Sequence, residues 1–231
     1  MTLARPTIVL FDMDGTVVRH LHPWFLHMLE RLDDASHKCA RLISKLFKRE
    51  IAAPPLVEFH DGKRRKLLVR RAMHKLLRKP VDEIVEPCPG IYDILDLLAA
   101  NNIRMGLISN GLGKGYGHDI LKKFELEKYF EITVFREDIT RPKPWPDPIL
   151  QALGALKQPP AKADNIWYIG DRHKDIKAAL AADIHLPCDI QPIGYTLNAA
   201  IAVLEHNLGP DHIFMAWPDL EVKLRKILAN R

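Results

Sequence analysis

Residues 8–18 read IVLFDMDGTVV, a run of β-branched, aliphatic and aromatic residues that ends at Asp12, passes a second carboxylate at Asp14 and breaks at Gly15. A short continuous apolar run closed by a turn signal is the pattern of a strand buried on both faces, as in a parallel sheet. Asp-Gly pairs form ordinary turns, so DMDGT alone would pass for one. Two acids set one residue apart at the end of a core strand ask for a further reason, and the rest of the chain is read for it.

The chain has 231 residues, 47% of them hydrophobic, enough for a full core with room for a smaller inserted domain. The N-terminal apolar run is too short for a signal peptide or a membrane span, and nothing later reaches spanning length. Cys39, Cys88 and Cys188 are an odd set with no close pair. That favours free thiols in a reducing compartment over a disulfide framework or a zinc site, and the protein is expected to be cytoplasmic. The net charge of +5 bears on solubility and steering rather than on fold.

Two textures follow one another. Leu21, Trp24, Phe25, Met28, Leu29 and Leu32 keep a helical period, as do Cys39, Leu42, Ile43, Leu46 and Phe47. A third amphipathic helix fits residues 64–79, where Leu68, Val69, Ala72, Met73, Leu76 and Leu77 share one face. The break AAPPL at 52–56 separates these helices. From Pro87 onward helix and strand signals alternate: a helix at 91–101, a strand in IRMGLISNG, and further strands near 131–135, 166–170 and 190–194, with a weak one at 213–216. Such alternation implies βαβ units and a parallel sheet covered on both faces. The expected architecture is a doubly wound, Rossmann-like α/β core made of 1–17 and 88–231, with a helical cap inserted at 18–87.

In an open parallel sheet, ligands bind at the carboxyl ends of the strands. Asp12 and Asp14 stand at such an end, as do Ser109 after MGLI and Asp171 after IWYIG, and Lys143 in the loop RPKPWPDP could reach the same place. Converging carboxylates repel strongly unless a divalent cation is bound, and hard oxygen ligands without a His–Cys set favour magnesium. A lysine and a serine beside a cation imply an anionic substrate, with phosphate the obvious candidate. One carboxylate can then act as a nucleophile, forming an aspartyl phosphate. Its neighbour two residues on can give a proton to the leaving alcohol and later take one from water.

DMDGT, LISNG, RPKPWPDP and YIGDRHKD occur in the order and approximate spacing of the four motifs of the haloacid dehalogenase-like superfamily, and the helical insert resembles its cap domain. The resemblance covers nearly the whole chain. It implies Asp12 as nucleophile, Asp14 as general acid and base, and Ser109 and Lys143 as a phosphate clamp with Asn110 nearby. Magnesium would be held by the Asp12 carboxylate, the Asp14 main-chain carbonyl and Asp171, with Asp175 hydrogen-bonding behind them. Asp175 has a plainer reading as a first-turn carboxylate complementing a helix dipole. The dehalogenase branch lacks an aspartate at the place of Asp14, so the resemblance implies phosphoryl transfer. KPWPDP and the helical cap are most similar to the phosphoglycolate phosphatase-like and β-phosphoglucomutase-like branch. Arg19 and His20 stand where that branch carries an Asp-Ser pair, and Ala182-Asp183 where it carries Ala-Gly.

The expected activity is magnesium-dependent hydrolysis of a small phosphorylated metabolite, phosphoglycolate-like or a sugar phosphate. A phosphomutase uses the same residues. A non-catalytic binding module would instead use the basic run at 63–79, which holds nine lysines and arginines and no acid. That run reads first as a solvated helix face, and without interleaved aromatics it is a poor nucleic-acid surface. His20, His22 and His27 are expected to be packing or surface residues of the insert.

Overall fold

The structure is a computed structural model that describes residues 3–21 and 80–229. The expected helices of the insert, its histidines His22 and His27, and the basic run at 63–79 lie outside the described residues. Packing divides the chain into Met1–His20 with Val85–Arg231, and Leu21–Ile84.

The larger unit is built on a six-stranded parallel sheet. Its strands are β1 (Ile8–Asp12), β4 (Arg104–Ile108), β5 (Ile132–Val134), β6 (Asn165–Gly170), β7 (Asp189–Tyr195) and β8 (Ile213–Phe214). Two short strands, β2 (Val18–His20) and β3 (Val85–Pro87), form a separate antiparallel ribbon. The helices are α1 (Ile91–Ala100), α2 (Lys114–Lys123), α3 (Asp147–Gly154), α4 (His173–Asp183), α5 (Thr196–Glu205) and α6 (Trp217–Ala229).

The sheet order is β5-β4-β1-β6-β7-β8. With the ribbon set aside this is the doubly wound order 3-2-1-4-5-6, in which the chain winds outward from β1 one way and then returns to the other side of it. β1 lies between β4 (Ile8 opposite Arg104, Asp12 opposite Ile108) and β6 (Ile8 opposite Ile166, Phe11 opposite Ile169). The order therefore reverses at β1, the kind of switch point at whose carboxyl end such sheets bind ligands.

Strand side chains alternate between faces, and β1 shows both faces covered. Ile8 and Leu10 share one apolar cluster with Ile166 and Tyr168 of β6, Ile149 and Leu153 of α3, and Ala178 and Ala182 of α4. On the other face the Phe11 ring meets Phe130 edge-on at 6.0 Å and Trp217 at 6.1 Å, and Trp217 stacks on Tyr195 at 4.6 Å. Ile8 to Phe11 have no exposed surface at all, which is why this strand reads as an unbroken apolar run.

Cys88 and Cys188 are buried free thiols. No described helix is long and apolar enough to cross a membrane.

Candidate active site

The turn after β1 is wound tightly around one carbonyl. Met13 O accepts hydrogen bonds from the amides of Val17 and Val18 at 3.0 Å each, and the Gly15 amide bonds Val18 O at 2.7 Å. Gly15 has φ +89°, which strains any L side chain, and a Cβ there would overlap the Asp171 carboxylate. The glycine thus serves two ends, turning the chain and letting the loop after β6 come up against it. Trp217 Nε1 donates to the Thr16 carbonyl at 3.2 Å, so α6 pins the same turn from behind.

Three strand ends and one loop converge here. Asp12 closes β1 and is 3% exposed; Ser109 follows β4 and is fully buried; Asp171 and Asp175 follow β6; Lys143 enters from the loop before α3 with its side chain wholly covered. The Lys143 ammonium bonds Asp12 Oδ1, Asp175 Oδ1 at 2.7 Å and the Tyr168 hydroxyl at 2.9 Å. Ser109 Oγ donates to Asp14 Oδ2 at 3.1 Å and accepts from the Leu112 amide at 3.0 Å. Asn110 donates through Nδ2 to the Lys143 carbonyl at 3.2 Å, so it steadies the loop that delivers the lysine.

Asp175 has two jobs in this arrangement. Its Oδ2 accepts the Arg172 amide at 3.1 Å and so caps α4, while its Oδ1 faces Lys143. Gly170 makes this possible, because a Cβ on residue 170 would overlap that of Asp175.

Lys143 is the buried cation among three carboxylates, and the half-exposed Arg172 guanidinium lies 3.7 Å from Asp171 Oδ2. Oxygens of Asp12, Asp171 and Asp175 lie within 4.8 Å of one another, a group that could hold a metal ion. Burial, reinforced by the Asp175 charge, raises Asp12 from 3.8 to about 7 despite the opposing pull of Lys143. Burial and Asp175 likewise raise Asp171 to about 6. Burial works to lower the Lys143 pKa, but the Asp12 and Asp175 carboxylates outweigh it and raise it well above its usual value. Asp171 Oδ1 is buried and has no hydrogen-bond partner among the described residues. A buried carboxylate oxygen left without a partner in a group of three acids is what a divalent cation with oxygen ligands would satisfy. The Asp14 carboxylate meets Ser109 Oγ through Oδ2 and lies 3.4 Å from His20 Nε2 through Oδ1.

All of Asp12, Asp14, Ser109, Asn110, Lys143, Asp171 and Asp175 therefore meet at one end of the sheet. Two residues found here are not among the site residues expected from sequence. His20, expected as a packing or surface residue of the insert, sits on β2 beside Asp14. Tyr168 looked like one more apolar residue of IWYIG, although a buried tyrosine hydroxyl in a core strand needs a partner and was a readable sign.

Residues 9–187 match the family model for "Haloacid dehalogenase-like hydrolase". A phosphoglycolate phosphatase of Salmonella paratyphi A is 24% identical, the alignment covering 92% of this chain and 90% of the relative. The pyrophosphatase PpaX of Bacillus velezensis is 29% identical over 95% of this chain and 97% of its own. Among solved structures, a Had-superfamily hydrolase from Ehrlichia chaffeensis superposes with a TM-score of 0.59 at 19% identity, covering 98% of this chain and all of the other, a likeness of fold.

Proposed function

The chain belongs to the haloacid dehalogenase-like hydrolases, and from that premise we propose that it is a magnesium-dependent phosphatase acting on a small phosphomonoester, phosphoglycolate-like or a sugar phosphate, through an aspartyl phosphate. The observation that carries the reading is the buried meeting of Asp12 with Lys143, Asp171 and Asp175 at the strand ends, with Asp14 held separately by Ser109. The relatives named for phosphate-ester and pyrophosphate hydrolysis support it.

In this reading Asp12 supplies the attacking oxygen. A carboxylate oxygen bonds to phosphorus as the bond to the leaving alcohol breaks, and Asp14, in its protonated form, gives that alcohol a proton. Asp14 then takes a proton from the water that attacks phosphorus, the Asp12–phosphorus bond breaks, and inorganic phosphate leaves. Lys143, Ser109 and Asn110 orient the phosphoryl oxygens. Asp12, Asp171 and the Asp14 carbonyl would hold magnesium with Asp175 in support, and the ion would neutralise charge on the transferring group.

The purified protein would be offered a panel of phosphorylated metabolites with magnesium, with excess chelator, and with calcium replacing magnesium. Phosphate release with magnesium, loss in chelator and no rescue by calcium are expected, since calcium prefers more ligands and longer bonds. Full turnover in chelator would refute the metal assignment. No turnover of any phosphomonoester would refute the function.

A further inference from the structure

Tyr168 is fully buried, its ring in the cluster formed by Ile8, Leu10, Ile149 and Ile166. A phenylalanine would fill that space equally well, and a hydroxyl in such surroundings is unfavourable unless bonded. It is bonded: Tyr168 Oη accepts from Lys143 Nζ at 2.9 Å and lies 3.4 Å from Asp175 Oδ1, which itself takes a Lys143 N–H at 2.7 Å. Lysine, tyrosine and aspartate close a triangle, with the tyrosine on β6 and the aspartate in the first turn of α4.

An ammonium has three N–H donors. Two are taken by the triangle, whose acceptors are fixed by a strand and a helix. The third goes to Asp12. Of the three acceptors only Asp12 changes during the proposed reaction: when its oxygen bonds phosphorus it loses its charge, and a phosphoryl oxygen arrives beside it. Building on the phosphatase reading, we infer that Tyr168 is a positioning residue that, with Asp175, fixes two of the Lys143 N–H groups so that the third is aimed first at Asp12 and then at the phosphoryl group Asp12 accepts.

The test is Tyr168→Phe, which keeps the ring and so the packing. Two readouts are combined in the full-length protein. The first is the ¹⁵N ammonium signal of Lys143, assigned by its disappearance in Lys143→Arg, which reports the mount without any need for turnover. It should be sharp in the wild type and broadened or lost in Tyr168→Phe. The second is inhibition by inorganic phosphate. Its inhibition constant should rise about tenfold, the loss expected of one hydrogen bond to a charged group, with kcat reduced alongside and the magnesium concentration for half-maximal activity unchanged. A tyrosine that only packs would alter neither readout in the folded protein.

An unchanged ammonium signal in Tyr168→Phe overturns the mount. A changed signal with unchanged phosphate inhibition overturns the aiming role. If the wild type shows the signal but neither binds phosphate nor turns over any phosphomonoester, it is the phosphatase reading that falls, and the aiming role falls with it, while the signal in the variant still decides the mount.

Discussion

Asp12 is held by opposing demands, because its burial favours the neutral acid while Lys143 and the proposed chemistry favour the anion. Asp12→Asn is nearly isosteric and removes one of three crowded carboxylates, so the fold should be retained with an unchanged or higher melting temperature by circular dichroism. Turnover should fall at least about 10³-fold, since the proposed nucleophile is gone; a folded variant that still hydrolyses substrate would end the mechanism. The raised pKa values of Asp12 and Asp171 carry a second consequence. A carboxylate whose folded pKa lies above its unfolded value holds its proton more tightly when folded, so its contribution declines as pH rises from the ordinary value of 3.8 toward about 6 to 7. In the proposed metal site a bound cation would take over the proton's role at higher pH. Magnesium should therefore raise the melting temperature more at a pH of about 8 than at about 5, and a magnesium shift independent of pH would show that these carboxylates do not hold it.

At the scale of elements, the turn from β6 into α4 has the least slack. Gly170→Ala would drive a methyl group into Asp175. The expected cost is about 1–3 kcal/mol, typical of overpacking, read from denaturant unfolding. Because the displaced residue belongs to the Lys143 triangle, activity should fall further than the lost stability explains; wild-type stability and activity together would show the turn to be looser than described. The elements that position the site were mostly legible in the sequence. IVLFD, RMGLI and NIWYIG are apolar because their strands are covered on both faces, and such runs announce themselves without knowledge of the partners. The ribbon was not legible: Val18–His20 is three residues long, and it pairs with Val85–Pro87, far along the chain, so neither half carries a period of its own. β5 is confined to Ile132–Val134, inside the expected span of 131–135, because pairing with β4 ends there. The polar site followed the same division. Acids and glycines at strand ends break the apolar pattern and draw attention, whereas Tyr168 hides within it, and His20 acquires its meaning only when the ribbon brings it to Asp14.

At the scale of the whole molecule, the reversal of winding at β1 explains why residues spread from position 12 to position 175 come together at one end of the sheet. The basic run at 63–79 is outside the described residues, and its reading as a solvated face makes a prediction of its own. Replacing Arg70, Arg71, Lys75 and Arg78 together with Gln should leave kcat and kcat/KM on a small phosphomonoester nearly unchanged, because exposed charges contribute little and are screened by salt. A drop in kcat/KM with a flattened salt dependence would show steering instead. A steep salt slope for nucleic-acid binding, reduced in the variant and accompanied by no phosphatase activity, would show a binding surface. The β2–β3 ribbon has a consequence for the residues between its strands. Its strands bring the departing and returning chain side by side, with Arg19 pairing Glu86 at 2.6 Å and Leu21 N bonding Ile84 O at 2.9 Å. Whatever is spliced between His20 and Val85 inherits closed ends, and the sheet need not be rebuilt to receive it. The ribbon is a socket: its pairing fixes where the intervening residues leave and rejoin the chain, whatever their length or character.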